Sequence, residues 1–210
     1  MRQGLKAHGC NARIHLLRAI VLAAGVAAAL AIYLVMSLYI IPLSFQESPS
    51  IIRPEPVVSG VTLSSQQIAL GENLTISVTG TNRGDSADMQ IVSIGFPNLT
   101  ASSEVEVLRH DFRQTPIAIE RGDNVGTGYT GSNSVLAQYP SIEAFSRPWD
   151  RGASYTVDLQ AEPLAEGRFV ILVKCVAFPH TWDSAHFPHG GMADYQQEFV
   201  ESYVIQVTKS

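Results

Sequence analysis

The segment Cys175–Met192, CVAFPHTWDSAHFPHGGM, gathers His180, His186 and His189 within ten residues, half of the chain's six histidines. Asp183 lies among them, and Cys175 and Met192 flank them. Imidazole with carboxylate suits zinc or copper, and added thiolate and thioether suit copper. His180, His186 and His189 with Asp183, or with Asp194, therefore form a candidate metal set, with copper or zinc as the candidate cofactor. The same residues also read as a solvated loop rich in turn-forming Pro and Gly. A third reading is a pH-sensing cluster, because imidazoles titrate between roughly pH 5 and 8. Cys175 shares strand parity with Phe169, Ile171 and Val173, which suits a small buried hydrophobe.

Cys175-x4-His180 and His189-x2-Met192 each resemble a spacing in the copper loop of cupredoxins, though not from one cysteine. Ser184 stands where the axial Met would follow His180, and the upstream ligand would fall to His110. That resemblance implies an electron-transfer site with a broken ligand set. Gly126-Thr-Gly-Tyr-Thr-Gly131 matches G-x-G-x-x-G, but no amphipathic helix period follows to present its N-terminus to a pyrophosphate. Arg121-Gly122-Asp123 spells an adhesion tripeptide, which needs a loop tip to act. Asn73-Leu-Thr and Asn98-Leu-Thr are glycosylation acceptors by sequence, Asn98 in a loop and Asn73 at a strand start. Tyr139, Trp149 and Trp182 read either as a ligand platform or as aromatics pinning loops to a core. No Gly-x-Ser-x-Gly elbow, His-Glu-x-x-His pair or Asp-rich calcium loop is present, so no enzyme is expected.

The elements that must carry these residues are strands. Asn73–Thr81 alternates Leu74, Ile76 and Val78 with Thr75, Ser77 and Thr79, a half-buried strand. Tyr155–Ala161 and Gln90–Phe96 alternate likewise, and Phe199–Val207 is β-rich. Arg168–Phe178 is nearly continuous apolar, as a central strand covered on both faces should be. Val57–Leu63, Glu104–Arg109 and Pro116–Glu120 read as weaker strands. Turns fall at Gly71-Glu72, Asn82–Asp85, Arg151-Gly152 and Glu166-Gly167. The pattern predicts a mainly β chain, an antiparallel immunoglobulin-like β-sandwich over 57–210. The long stretches 97–150 and 178–197 read as loops or insertions.

Charge divides the chain. Hydrophobic residues make up 46% and charged residues 16%, below the usual share of about 25%, so the chain is not a disordered tail. Arg2, Lys6, Arg13 and Arg18 precede the first acid, Glu47. The net charge is -5 overall, which argues against nucleic acid as a partner. Ala19–Ile41 holds no charged residue, and its length at 1.5 Å per residue, roughly 34 Å, spans a hydrocarbon core of about 30 Å. The expectation is an uncleaved signal anchor: basic cytoplasmic tail 1–18, transmembrane helix 19–41 in lipid, Pro/Ser-rich stalk 42–56, and extracytoplasmic sandwich. Cys10 and Cys175 then lie on opposite sides and cannot pair. Cleavage after Ala29-Leu-Ala31, or a buried core helix, are the competing readings.

Gly60-Val-Thr-Leu63 and Ile68–Asp85, with their Gly-Glu turn, alternating strand and Asn-x-Gly-Asp, resemble the opening strands of CARDB-type immunoglobulin-like cell-surface domains of bacteria and archaea. Arg151–Val157 and Glu166–Phe169 resemble the paired later strands. The resemblance implies adhesion or assembly at the cell surface, with another envelope or membrane protein as partner and no catalytic residues. The alternative expectation is metal handling through the His-rich loop.

Overall fold

The computed structural model describes residues 7–35, 53–126, 134–178 and 191–209. The chain divides into two compact units, Met1–Ile51 and Ile52–Ser210.

The first unit holds one helix, α1 (Ala7–Val35), 29 residues long. It begins twelve residues before the expected start at Ala19, because Ala, Leu and Arg in Ala7–Arg18 favour helix and no proline interrupts them. Side chains are described at Arg18 and from Ile20 to Leu34; all are exposed, and the fifteen from Ile20 to Leu34 are uncharged. These fifteen residues make about 22 Å of helix. Among the described residues no helix is long and apolar enough to cross a membrane. Residues 36–41 of the expected span, and the stalk up to residue 52, lie outside the described residues.

Among its described residues the second unit is built from thirteen strands: β1 (Pro56–Leu63), β2 (Gln67–Ala69), β3 (Leu74–Asn82), β4 (Met89–Gly95), β5 (Val105–His110), β6 (Ile117–Ile119), β7 (Asn124–Gly126), β8 (Ser134–Leu136), β9 (Ser141–Ser146), β10 (Ser154–Ala161), β11 (Gly167–Phe178), β12 (Met192–Ala193) and β13 (Phe199–Thr208). One sheet runs β1-β3-β10-β5 and the other β12-β13-β11-β4-β9-β6, while β7 and β8 form a separate hairpin. Pairings are antiparallel except β2 with β13, which are parallel. The eight strands expected from alternation are all present, within a residue or two at their ends.

A single buried cluster joins the two sheets, with Leu74, Ile76 and Val78 of β3 and Leu159 of β10 opposite Ile94, Ile171 and Ile205. Gly80 of β3 lies directly against Val92 of the other sheet. A Cβ there would sit 2.4 Å from Val92 Cγ2 and 3.1 Å from Trp149, so nothing larger than hydrogen fits.

One expectation needs correction. The stretch 97–150 is not mainly insertion: β9 within it is an inner strand of the larger sheet, between β4 and β6. Its core face carries Ile142 and the small Ala144, while Ser141 and Ser146 are also buried. A polar-looking SIEAFS run conceals a strand because its partners supply the bulk.

Candidate functional site

The strand registers set a row of side chains across the outer face of the larger sheet, away from the shared core. Ile117 pairs with Glu143, Glu143 with Ser93, and Ser93 with Lys174. Directly paired residues share a face, so Glu143 and Lys174 flank Ser93 at about 10 Å between backbones. The next row is Phe145–Ile91–Val176. This face is itself covered. Tyr139 lies on Gly95, where a Cβ would come within 2.5 Å of its ring. Tyr195 meets Tyr139 edge to face at 5.0 Å between ring centres. Lys174 Nζ lies 6.0 Å from the Tyr195 ring centre, within reach of a cation–π attraction.

Lys174 is the only charged residue between Arg168 and Phe178, and it is buried. Its ammonium bonds Asp194 Oδ2 and Glu198 Oε2, each at 2.6 Å, and the Gln196 amide oxygen. The turn after β12 supplies all three. Asp194 Oδ1 accepts the backbone N–H of Gln196 at 2.8 Å and of Glu198 at 3.0 Å, which closes the turn and aims the other oxygen at Lys174. Gln197 completes it with φ 62°. Gln196 donates from its amide to the Gly126 carbonyl at 2.6 Å, tying this turn to β7.

Beside this network is a cavity of about 350 Å³, with Ile91, Val125, Val176 and Phe178 on its apolar side and Lys174, Glu143, Gln196 and Glu198 on its polar side. One ammonium and two carboxyls, Glu143 and Glu198, border it. Burial pushes the Glu143 carboxyl above its ordinary pKa, opposed by the charge of Lys174 and reinforced by Glu198. Burial also raises Glu198, against the charge and hydrogen bond of Lys174. Tyr139 and Tyr195 are raised too, chiefly by burial and then by the nearby carboxylates. The arrangement is a buried, carboxyl-rich pocket around one ammonium, in which burial favours the neutral acids.

The residues singled out by sequence fare differently. His180, His186, His189, Asp183 and Trp182 lie outside the described residues. Asp194, the alternative metal ligand, is held by Lys174 and two backbone N–H groups. Among the described residues no group of three or more His, Cys, Asp or Glu is placed to hold a metal ion. Cys175 is fully buried on the core face, where Gln90 Nε2 donates to its sulfur at 3.1 Å. Burial pushes the thiol up to about 12, opposed by that hydrogen bond. His110 ends β5 in the other sheet, and its Nδ1 is buried without a hydrogen-bond partner.

Gly126 ends β7, which pairs antiparallel with β8, and residues 127–131 of the G-x-G-x-x-G stretch lie outside the described residues. In Arg121-Gly122-Asp123 the Asp carboxylate accepts the Glu120 N–H at 2.8 Å and Gly122 has φ 93°, a turn braced from within. Trp149 is wholly buried. It packs edge to face on Phe112 and Tyr155 and donates to the Ala153 carbonyl, a pin and not a platform. Asn73 and Asn98 are both exposed, but Asn98 Oδ1 already accepts the Val170 N–H at 2.7 Å. The Lys174 network was missed by sequence reasoning. Its signal was a lone lysine inside an otherwise apolar central strand, which demands buried partners.

No family model matches the chain, and no curated protein matches it either. Among solved structures it is similar to the CARDB domain of the PF1109 protein from Pyrococcus furiosus, solved in complex with di-metal ions (TM-score 0.37, 8% identity, 77% of this chain and 95% of that one). It is also similar to a cohesin module from a Clostridium perfringens family 33 glycoside hydrolase (TM-score 0.35, 6% identity, 76% and 99%). A third is a β-glucosidase from Listeria innocua (TM-score 0.36, 14% identity), where 77% of this chain corresponds to 17% of that one. The domain type whose strands the sequence resembles is thus also met among solved structures. The β-sandwich assignment rests on the strand pairing itself.

Proposed function

We propose that the chain is a membrane-anchored, extracytoplasmic binding or assembly module whose partner is another envelope or membrane protein, and that it is not an enzyme. One observation supports this above the others. From Ile20 to Leu34 α1 is uncharged and exposed on all sides, with Val21 and Leu22 70% and 71% accessible. A helix apolar all round needs an apolar surrounding, and lipid supplies one. All four bases near it precede Ala19, so the positive-inside rule puts the N-terminus in the cytoplasm. For the partner, among the described residues β1 and β5 each leave one edge of the smaller sheet unpaired, and such edges accept an added strand.

Protease added to intact cells tests the topology. Peptides containing Trp149 should be released from intact cells as readily as from lysates, and the helix should stay with the membrane after an alkaline carbonate wash. Protection of Trp149 in intact cells overturns the reading. Crosslinking in native membranes tests the partner: a discrete adduct with a second envelope protein is expected, and a strictly solitary chain counts against it.

A further inference from the structure

We propose that the cavity beside Lys174 is a binding site for a small organic amine, an ammonium group on an apolar body. The inference goes beyond the membrane-anchored reading and does not depend on it. A volume of about 350 Å³ lies in the range of small-molecule pockets. Ile91, Val125, Val176 and Phe178 offer an apolar wall for the body of such a ligand. At the polar end, Lys174 pairs with Asp194 and Glu198. Glu143 borders the same cavity and forms no ion pair with Lys174. Of the two carboxyls on the cavity, Glu198 is taken up by Lys174 and Glu143 is not, and an ammonium ion is the complement of a buried carboxyl left without a cation. Glu143 is half-buried and reachable, whereas Asp194 is sealed beneath the turn. Glu143 is therefore the group that meets the ligand's ammonium, while Gln196 and Glu198, pinned by the turn, hold the shape of the pocket. A metal ion is a poorer occupant, since the described carboxyls are not grouped to ligate one.

Calorimetric titration of the full chain in lipid nanodiscs, with empty nanodiscs as the blank, tests this. Phenethylamine and its neutral isostere 2-phenylethanol are the probes, with N-acetyl-lysine methylamide representing a lysine of a protein partner. Phenethylamine should bind at least tenfold more tightly than 2-phenylethanol, and Glu143→Gln should remove most of that preference while leaving the thermal unfolding midpoint near that of the wild type. Equal affinity for amine and alcohol overturns the ammonium assignment without recourse to any variant. Binding of the lysine amide alone overturns the free amine as occupant. An unchanged preference in Glu143→Gln removes Glu143 from the site and the proposal with it. Protease topology plays no part in this readout, so the two proposals fail separately.

Discussion

Cys175 illustrates how position overrides chemistry. A thiol flanked by histidines in sequence looks like a ligand, but strand parity turns it into the core, where burial keeps it protonated. Only the thiolate reacts. At pH 8 Cys175 should resist iodoacetamide in the folded chain and react fully in denaturant, read by mass spectrometry of its own peptide so that Cys10 does not interfere. Rapid labelling of folded protein would contradict the packing. Glu143 and Glu198 give a pH signature. Both carboxyls have raised pKa values in the fold, so the folded state holds protons that the unfolded chain releases. Their contribution to stability is present below the ordinary glutamate pKa and is lost as pH rises through the raised values. Urea midpoints should therefore fall as pH rises from about 5 to 8, and Glu143→Gln should flatten that dependence. Lys174→Met leaves Asp194 and Glu198 buried without a cation, and the expected loss is about 3–5 kcal/mol in equilibrium unfolding. Parity made the burial of Cys175 legible in sequence. The partners of Lys174 were not, because Asp194 and Glu198 lie about twenty residues downstream and only the fold of their turn returns them.

Strands were legible wherever bulky apolar residues alternate with polar ones, as in β3 and β10. They were illegible where burial falls on serine, alanine and glycine. β9 buries Ser141, Ala144 and Ser146, and hydrophobicity along the chain carries no trace of that. β7 and β8 are three residues each, below the length at which alternation can be told from chance. The Asn82–Asp85 turn shows the reverse, a motif whose mechanism is visible at once. Asn82 is wholly buried and its Oδ1 accepts the N–H groups of Glu55 and Gly84, while its Nδ2 donates to the Asp85 carbonyl at 2.6 Å. One side chain thus fastens the approach to β1 onto the end of β3. Asn82→Ala strands those groups without partners and should cost about 2–4 kcal/mol, with Asn82→Asp recovering only the accepted bonds. Gly80→Ala should also destabilise, by about 1–3 kcal/mol, because Val92 and Trp149 cannot both retreat. Thermal or urea unfolding reads both changes.

The whole chain joins two units of different character, a helix with no polar face over Ile20–Leu34 and a sandwich whose larger sheet is covered on both sides. That second cover distinguishes the β unit from a plain two-sheet module: the turn after β12 is tied to Gly126 over Lys174, and Ile119 and Asn124, Val125 and Gly126 line the cavity beside it. A composition of 46% hydrophobic residues in a chain this size reflects both demands. The parallel contact between β2 and β13 has one further consequence. Gln67–Ala69 lies beside Gln206–Thr208, and Leu70 N–H bonds the Thr208 carbonyl at 2.9 Å. β13 also forms the flank of β11, from Gly167 to Val173. A nascent chain halted before Phe199 therefore lacks the strand that closes the larger sheet, and its β11 has an open edge. Completion of the larger sheet must therefore wait for synthesis to pass Thr208, where the pairings of β13 with β11 and β2 are complete.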